Sequence, residues 1–96
     1  MIVRDGNRLL VQGAVTMSNV NSLFEAGLQQ LNHELTEVDF SGLREVDSSA
    51  ITMVLEWLRV SKRRNLRLSV RNMPDNMKSL ASLYGVLDLI PFSDGR

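Results

Sequence analysis

Val38-Asp39-Phe40-Ser41-Gly42-Leu43-Arg44-Glu45-Val46-Asp47-Ser48-Ser49-Ala50 is the stretch on which the reading of this chain turns. Glu37 to Phe40 alternates, with Val38 and Phe40 on the inward side, and reads as a short central strand. Ser41 to Ser48 follows as a polar connection, and a long helix is predicted from about Ser49 to Arg63. Ser48 or Ser49 can cap that helix, its hydroxyl accepting one of the unpaired backbone N–H groups. A hydroxyl at a helix start is also a place to carry a phosphate, because the helix dipole and free amides stabilise added negative charge. Asp47 beside it acts in the opposite direction by like-charge repulsion. A phosphate here would therefore alter the local surface strongly, as a binding switch requires.

Working outward, Ile2-Val3-Arg4 and Arg8-Leu9-Leu10-Val11-Gln12-Gly13 read as two strands joined by Asp5-Gly6-Asn7, where Asp-Gly supplies the positive φ of a tight turn. Thr16 to Asn19 contains several N-cap residues. Val20, Leu23, Phe24, Leu28 and Leu31 then recur at helical spacing, which predicts a helix over about 19–32. Gly27 lies on the same face, where it would permit close packing on a sheet. Leu66 to Arg71 alternates and is the next strand, with its leucines and valine inward and Arg67, Ser69 and Arg71 outward. Pro74 opens a third helix whose apolar face is Met77, Leu80, Ala81 and Tyr84, and Gly85 stops it. Leu87 to Ile90 is expected as a last short edge strand before Pro91. Strands separated by helices favour parallel pairing. The order β-β-α-β-α-β-α thus predicts an α/β fold, a mixed four- to five-stranded sheet with about three helices mainly on one face.

A chain of 96 residues is expected to form one domain spanning positions 1–96. Hydrophobic residues are 44% and charged residues 23% of it, as in ordinary folded domains. With 11 basic and 11 acidic residues the net charge is zero, which argues against nucleic-acid binding. The absence of cysteine excludes disulfides, thiolate metal sites and thiol nucleophiles, and one histidine cannot build a histidine-rich metal centre. No apolar run approaches the ~18–20 residues of a membrane span, and no signal-peptide pattern is present, so a cytoplasmic domain is expected. No Walker-type loop is present. Glu34, Glu37 and Asp39 do not form a defensible acid–base pair, and His33, placed near the end of the first helix, has no partner for catalysis. Neither a cofactor nor a metal is expected, and the chain does not read as an enzyme.

On the long helix, Ile51, Val54, Leu55 and Leu58 fall on one stripe suited to a sheet. Met53, Trp57 and Val60 form a second stripe beside it, while Thr52, Glu56, Arg59 and Arg63 share the polar face. The second stripe has two readings. It packs against a neighbouring helix, or it is an exposed patch next to Ser48 of the kind found at interface centres. Lys62, Arg63, Arg64, Arg67 and Arg71 gather nearly half of the 11 cations around the far end of this helix. They read as a solvated helix end or as a patch for an acidic partner or anionic headgroups.

Asp39-Phe40-Ser41, the short loop, and Val46-Asp47-Ser48-Ser49-Ala50 opening an apolar helix together resemble the signature of STAS domains. The element order resembles the STAS fold over almost the whole chain. The family includes anti-anti-sigma factors of the SpoIIAA type and the cytosolic MlaB-type subunit of Mla phospholipid-transport ABC complexes. Ser48 matches the family's regulatory Ser/Thr position and Asp47 the supporting acidic residue before it. Many members carry glycine where this chain has Ala50. The resemblance implies partner docking through the long helix and its preceding loop, with Ser48, Thr52, Met53, Glu56 and Trp57 at the partner surface and Ser48 as the candidate phosphorylation site. The stretch from Lys78 to Val86 is most similar to the third helix of MlaB-type members. That similarity implies a non-enzymatic subunit bound to an ABC ATPase of the MlaF type, cytoplasmic and peripheral to the inner membrane through its partner. The alternative is an anti-anti-sigma factor that meets a serine kinase/anti-sigma factor and is switched at Ser48.

Overall fold

Two strands open the chain, β1 (Ile2–Asp5) and β2 (Arg8–Val15), in a computed structural model that describes residues 1–93. They pair antiparallel, with Asp5 opposite Arg8, so the loop between them is Gly6-Asn7. Gly6 takes φ 61° at the first loop position, which is the demand of a II′-type turn and the reason for glycine there. Asn7 then ties the hairpin to the next strand, its carbonyl accepting from Thr36 N at 2.9 Å.

The remaining elements are α1 (Val20–Leu28), β3 (Glu37–Val46), α2 (Ser48–Arg63), β4 (Ser69–Arg71) and α3 (Asp75–Leu83), followed by one 3₁₀ turn, Leu87–Leu89. The sheet order is β1-β2-β3-β4, with β2, β3 and β4 parallel. Parallel neighbours need a crossover, and α1 and α2 supply the two. Leu9, Val11, Val38, Phe40 and Val70 point from the sheet into the core beneath the helices and are almost fully buried. The opposite face carries Arg8, Glu37, Ser69 and Arg71 and is partly open to solvent. This is the mixed sheet with helices on one side that the element order predicts, in its four-stranded form.

Four boundaries differ from expectation, each for a local reason. The segment after Phe40 is not a loop: β3 runs on to Val46. Its pairing with β2 slips twice, between Leu10 and Gln12 and between Gly13 and Ala14, and each slip places an extra residue on β3. Those bulges break the alternation that marks a strand in sequence. The helix expected to reach position 32 ends at Leu28, because the Asn32 carboxamide accepts from Glu34 N and Leu35 N at 3.0 and 3.1 Å and holds a turn instead. His33 is therefore an exposed loop residue and not at a helix end.

The strand expected from Leu66 begins only at Ser69. Asn65 adopts φ 58° beyond α2, and Leu66 N donates to Ser61 O at 2.8 Å while Asn65 N donates to Lys62 O at 3.1 Å. This is a Schellman closure with asparagine in the left-handed position, and it consumes the N–H that would have entered the sheet. The same closure recurs at Gly85, φ 71°, with Val86 N donating to Ala81 O at 2.9 Å. Among the described residues no edge strand follows it. Leu87–Leu89 turns as a 3₁₀ helix, and among the described residues this segment meets β4 through a single bridge from Phe92 to Val70.

Candidate functional site

Asp47 stands at the junction of β3 and α2 and organises it. Its Oδ1 accepts from Ser49 N at 2.9 Å and from the Ser49 hydroxyl, and its Oδ2 accepts from Met17 N at 2.9 Å. Asp47 is thus the N-cap of α2, in place of either serine. The Ser49 hydroxyl, followed by the Met17 N–H, holds the Asp47 carboxyl below its usual range, so it is ionised at neutral pH. Ser49 is committed to this cap. Ser48 is the first residue of the helix, exposed, with a hydroxyl that has no hydrogen bond among the described residues. Ala50 is fully buried, so the methyl that replaces a common glycine projects into the core and leaves the approach to Ser48 open.

From Ser48, steps of four residues lead to Thr52 and Glu56, which form one ridge along α2. Thr52 is exposed, and Glu56 is held by Arg59, Nη2 to Oε1 at 2.6 Å. A shallow groove flanks each side. One, of about 270 Å³, lies toward α3 and includes Ser48, Leu55, Tyr84 and Val86. The other, of about 260 Å³, lies toward α1 and includes Val20, Asn21, Phe24 and Ser49. Met17, tethered by Asp47, is 79% exposed, and Leu83 and Tyr84 at the end of α3 are 76% and 55% exposed.

The placement of Met53 and Trp57 at an exposed surface is corrected by the fold. They are 2% and 1% exposed, and Val60 is buried with them. The Trp57 indole N–H donates to Phe24 O at 3.1 Å, and its ring lies against Gly27, where any Cβ would collide with it. Gly27 does allow close approach, but of α2 and not of the sheet. The second apolar stripe is the helix–helix contact, while Leu55 and Leu58 of the first stripe are only half buried. Of the five anticipated surface residues, Ser48, Thr52 and Glu56 share the exposed ridge. Met17 and Leu83 were not anticipated. Leu83 had a signal, since it falls off the Met77-Leu80-Ala81 stripe of α3. Met17 had none, because its position depends on a contact thirty residues away in sequence.

Glu37 and Asp39 do share the open sheet face, but each is engaged: Glu37 with Arg8 at 2.9 Å and Arg71 at 3.4 Å, Asp39 with Ser41 N at 2.8 Å and Asn72 at 3.3 Å. Among the described residues no cluster of acidic or histidine side chains could hold a metal ion, and no helix is long and apolar enough to cross a membrane.

Sheet order, two parallel crossovers and an aspartate-capped entry into the long helix define an α/β domain with the fold of the anti-sigma factor antagonists. The unphosphorylated form of the antagonist SpoIIAA is similar with a TM-score of 0.67 at 16% identity, over 92% of this chain and 82% of that one. The chain belongs to the STAS domain family: the family model described as "Mlab, STAS domain" matches residues 2–91. The crystal structure of Mglu is similar in fold over 80% of this chain and 20% of that longer chain, with a TM-score of 0.57 at 18% identity. No curated protein sequence matches this one.

Proposed function

We propose that this chain is a non-enzymatic binding subunit that presents the Ser48–Thr52–Glu56 ridge to the ATPase of a bacterial phospholipid-transport ABC complex of the Mla type. The observation that carries the reading is the match of residues 2–91 to the MlaB-described STAS model. The ridge supports it physically. A free serine, a threonine and a paired glutamate lie between two shallow grooves, bordered by exposed Met17, Leu83 and Tyr84. Exposed large apolar side chains suit a partner surface, and an unpaired hydroxyl beside them offers a directional contact. In this role the chain hydrolyses nothing. It supports assembly or activity of the ATPase from the cytoplasmic side and meets the membrane only through that partner.

A second reading rests on the free Ser48 hydroxyl, whose neighbour Ser49 is tied up in the cap. It makes the chain an anti-anti-sigma factor of the SpoIIAA type, released from a serine kinase when Ser48 is phosphorylated. Affinity purification from the native bacterium separates the two. The wild-type chain is compared with Thr52→Arg and Ser48→Glu, and the partners are identified by mass spectrometry. Co-purification of an ABC ATPase and its permease, lost in both variants while the melting curves stay unchanged, supports the transporter reading. A serine kinase in their place, with phosphate on Ser48, replaces it with the second. An ABC ATPase retained at full yield by both variants moves the interface off the ridge.

A further inference from the structure

One side of α2 carries a stripe that the fold leaves half covered. Ser48, Thr52, Leu55, Leu58 and Lys62 follow one another at intervals of four, three, three and four residues. Their mean interval, about 3.5, is the spacing at which a helix keeps one side turned toward a second helix. The stripe runs about 21 Å at about 1.5 Å per residue. The groove toward α3 described above borders its first part, with Tyr84 beside Ser48, Thr52 and Leu55. A larger open groove of about 590 Å³ borders its second part, with Leu66 and Leu89 beside Leu58 and Lys62. The middle of the stripe is apolar: Leu55 and Leu58 are only half buried. Beside them Tyr84 and Leu89, near opposite ends of the stripe, are both largely exposed.

The two ends of α2 carry opposite charge. Glu45 and Asp47 precede its first residue, and Arg44, the nearest cation, borders a groove on the open sheet face with Gln12. At the other end Lys62, Arg63, Arg64 and Arg67 are all exposed, and none has a carboxylate partner among the described residues. The carbonyls there do not offset them, because those of Val60, Ser61 and Lys62 already accept from the N–H groups of Arg64, Leu66 and Asn65. An apolar middle between ends of opposite sign is complementary to itself when turned end for end. A two-fold axis crossing α2 between Leu55 and Leu58 sets each leucine against the other in the second copy. The same rotation brings Tyr84 toward Leu89 of that copy, and Glu45 and Asp47 toward its basic end. A parallel arrangement would set four cations against four and is ruled out by repulsion. One operation thus answers both the apolar and the charged parts of the surface, which selects a second copy of this chain as the occupant.

We propose that α2 is the contact of an antiparallel, two-fold dimer of this chain, and that the dimer covers Ser48 and Thr52. Self-association and partner docking at the ridge then exclude each other. The dimer stands independently of which partner docks there, and only the competition rests on the reading of the ridge as a docking surface. The test is sedimentation velocity of the full chain from about 10 μM to about 1 mM, the range in which weak association is read. The expected result is a mass that rises with concentration from 10.8 kDa toward twice that value. Raising salt from about 50 mM to about 500 mM should weaken the dimer, because its end contacts are exposed charges. Lys62→Glu/Arg67→Glu should weaken it by about tenfold or more with the circular dichroism spectrum unchanged, each substitution counting twice by symmetry. Ser48→Glu supplies the opposite sign. Its carboxylate would face the basic end of the second copy, so it should tighten the dimer severalfold, whereas it should weaken partner docking. A mass of 10.8 kDa at every concentration would overturn the proposal. So would a dimer that is indifferent to salt and to Lys62→Glu/Arg67→Glu, or one that Ser48→Glu loosens. None of these masses depends on a partner, so failure of the ridge as a docking surface would leave them unchanged.

Discussion

Asp47 engages three donors with two oxygens: it joins the start of α2 to the loop before α1 and leaves Ser48 bare. Asp47→Ala should therefore lower the melting temperature by several degrees, whereas Ser48→Ala should leave it within about a degree. The reverse order would return the cap to Ser48. Trp57 is the other decisive residue. It is the largest fully buried side chain, and Trp57→Ala should cost about 3–5 kcal/mol by denaturant unfolding. A smaller loss, below about 1 kcal/mol, would restore it to a surface role. Sequence could not separate these outcomes, because tryptophan is equally suited to a core and to an interface.

Helix α1 shows how an element can defy its own propensities. Alanine is the better helix former, so Gly27→Ala would add up to about 1 kcal/mol in an isolated helix. In the folded chain the new methyl meets the Trp57 ring, and overpacking of this kind costs typically 1–3 kcal/mol. The expected outcome is net destabilisation, measured by urea unfolding, and relieved in the pair with Trp57→Phe. A stabilised Gly27→Ala would mean that α1 and α2 can separate without penalty. The existence of the four strands and three helices was legible, because helical and alternating periods are strong over α1, α2, α3 and the first half of β3, whereas the strand expected over Leu87 to Ile90 is a 3₁₀ turn. Their ends were less so. Bulges in β3 and the N–H groups diverted at Asn32 and Leu66 depend on hydrogen bonds that periodicity does not encode.

Across the whole molecule, the open face of the sheet is held by charge. Burial acts to raise the Glu37 pKa, yet hydrogen bonds from Ser93 and Arg71 and the charges of Arg71 and Arg8 outweigh it and lower it from the ordinary 4.5. For Asp39, burial is likewise outweighed by hydrogen bonds from Ser41 and Asn72, lowering it from 3.8. A carboxyl whose folded value lies below its unfolded value contributes fully above the unfolded value and loses that contribution as pH falls through the folded one. The melting temperature should thus be nearly flat from pH 7 to about pH 5 and fall below about pH 4. Glu37→Gln should lower it at pH 7 and shallow the acid decline. An acid decline of unchanged steepness in that variant would assign it to other groups.

Period and composition by themselves determined the α/β order, the parallel crossovers and the polar face of α2, because these are properties of neighbours along the chain; that Asp47 and neither serine caps α2 was decided by the fold. Which side of α2 met solvent was decided only in three dimensions. Both apolar stripes were available for burial. The gap left by Gly27 on α1 took the Trp57 ring, and the half-exposed leucines were left to line a groove. Burial depends on what stands opposite a side chain, and no residue carries that information in its own position in the sequence.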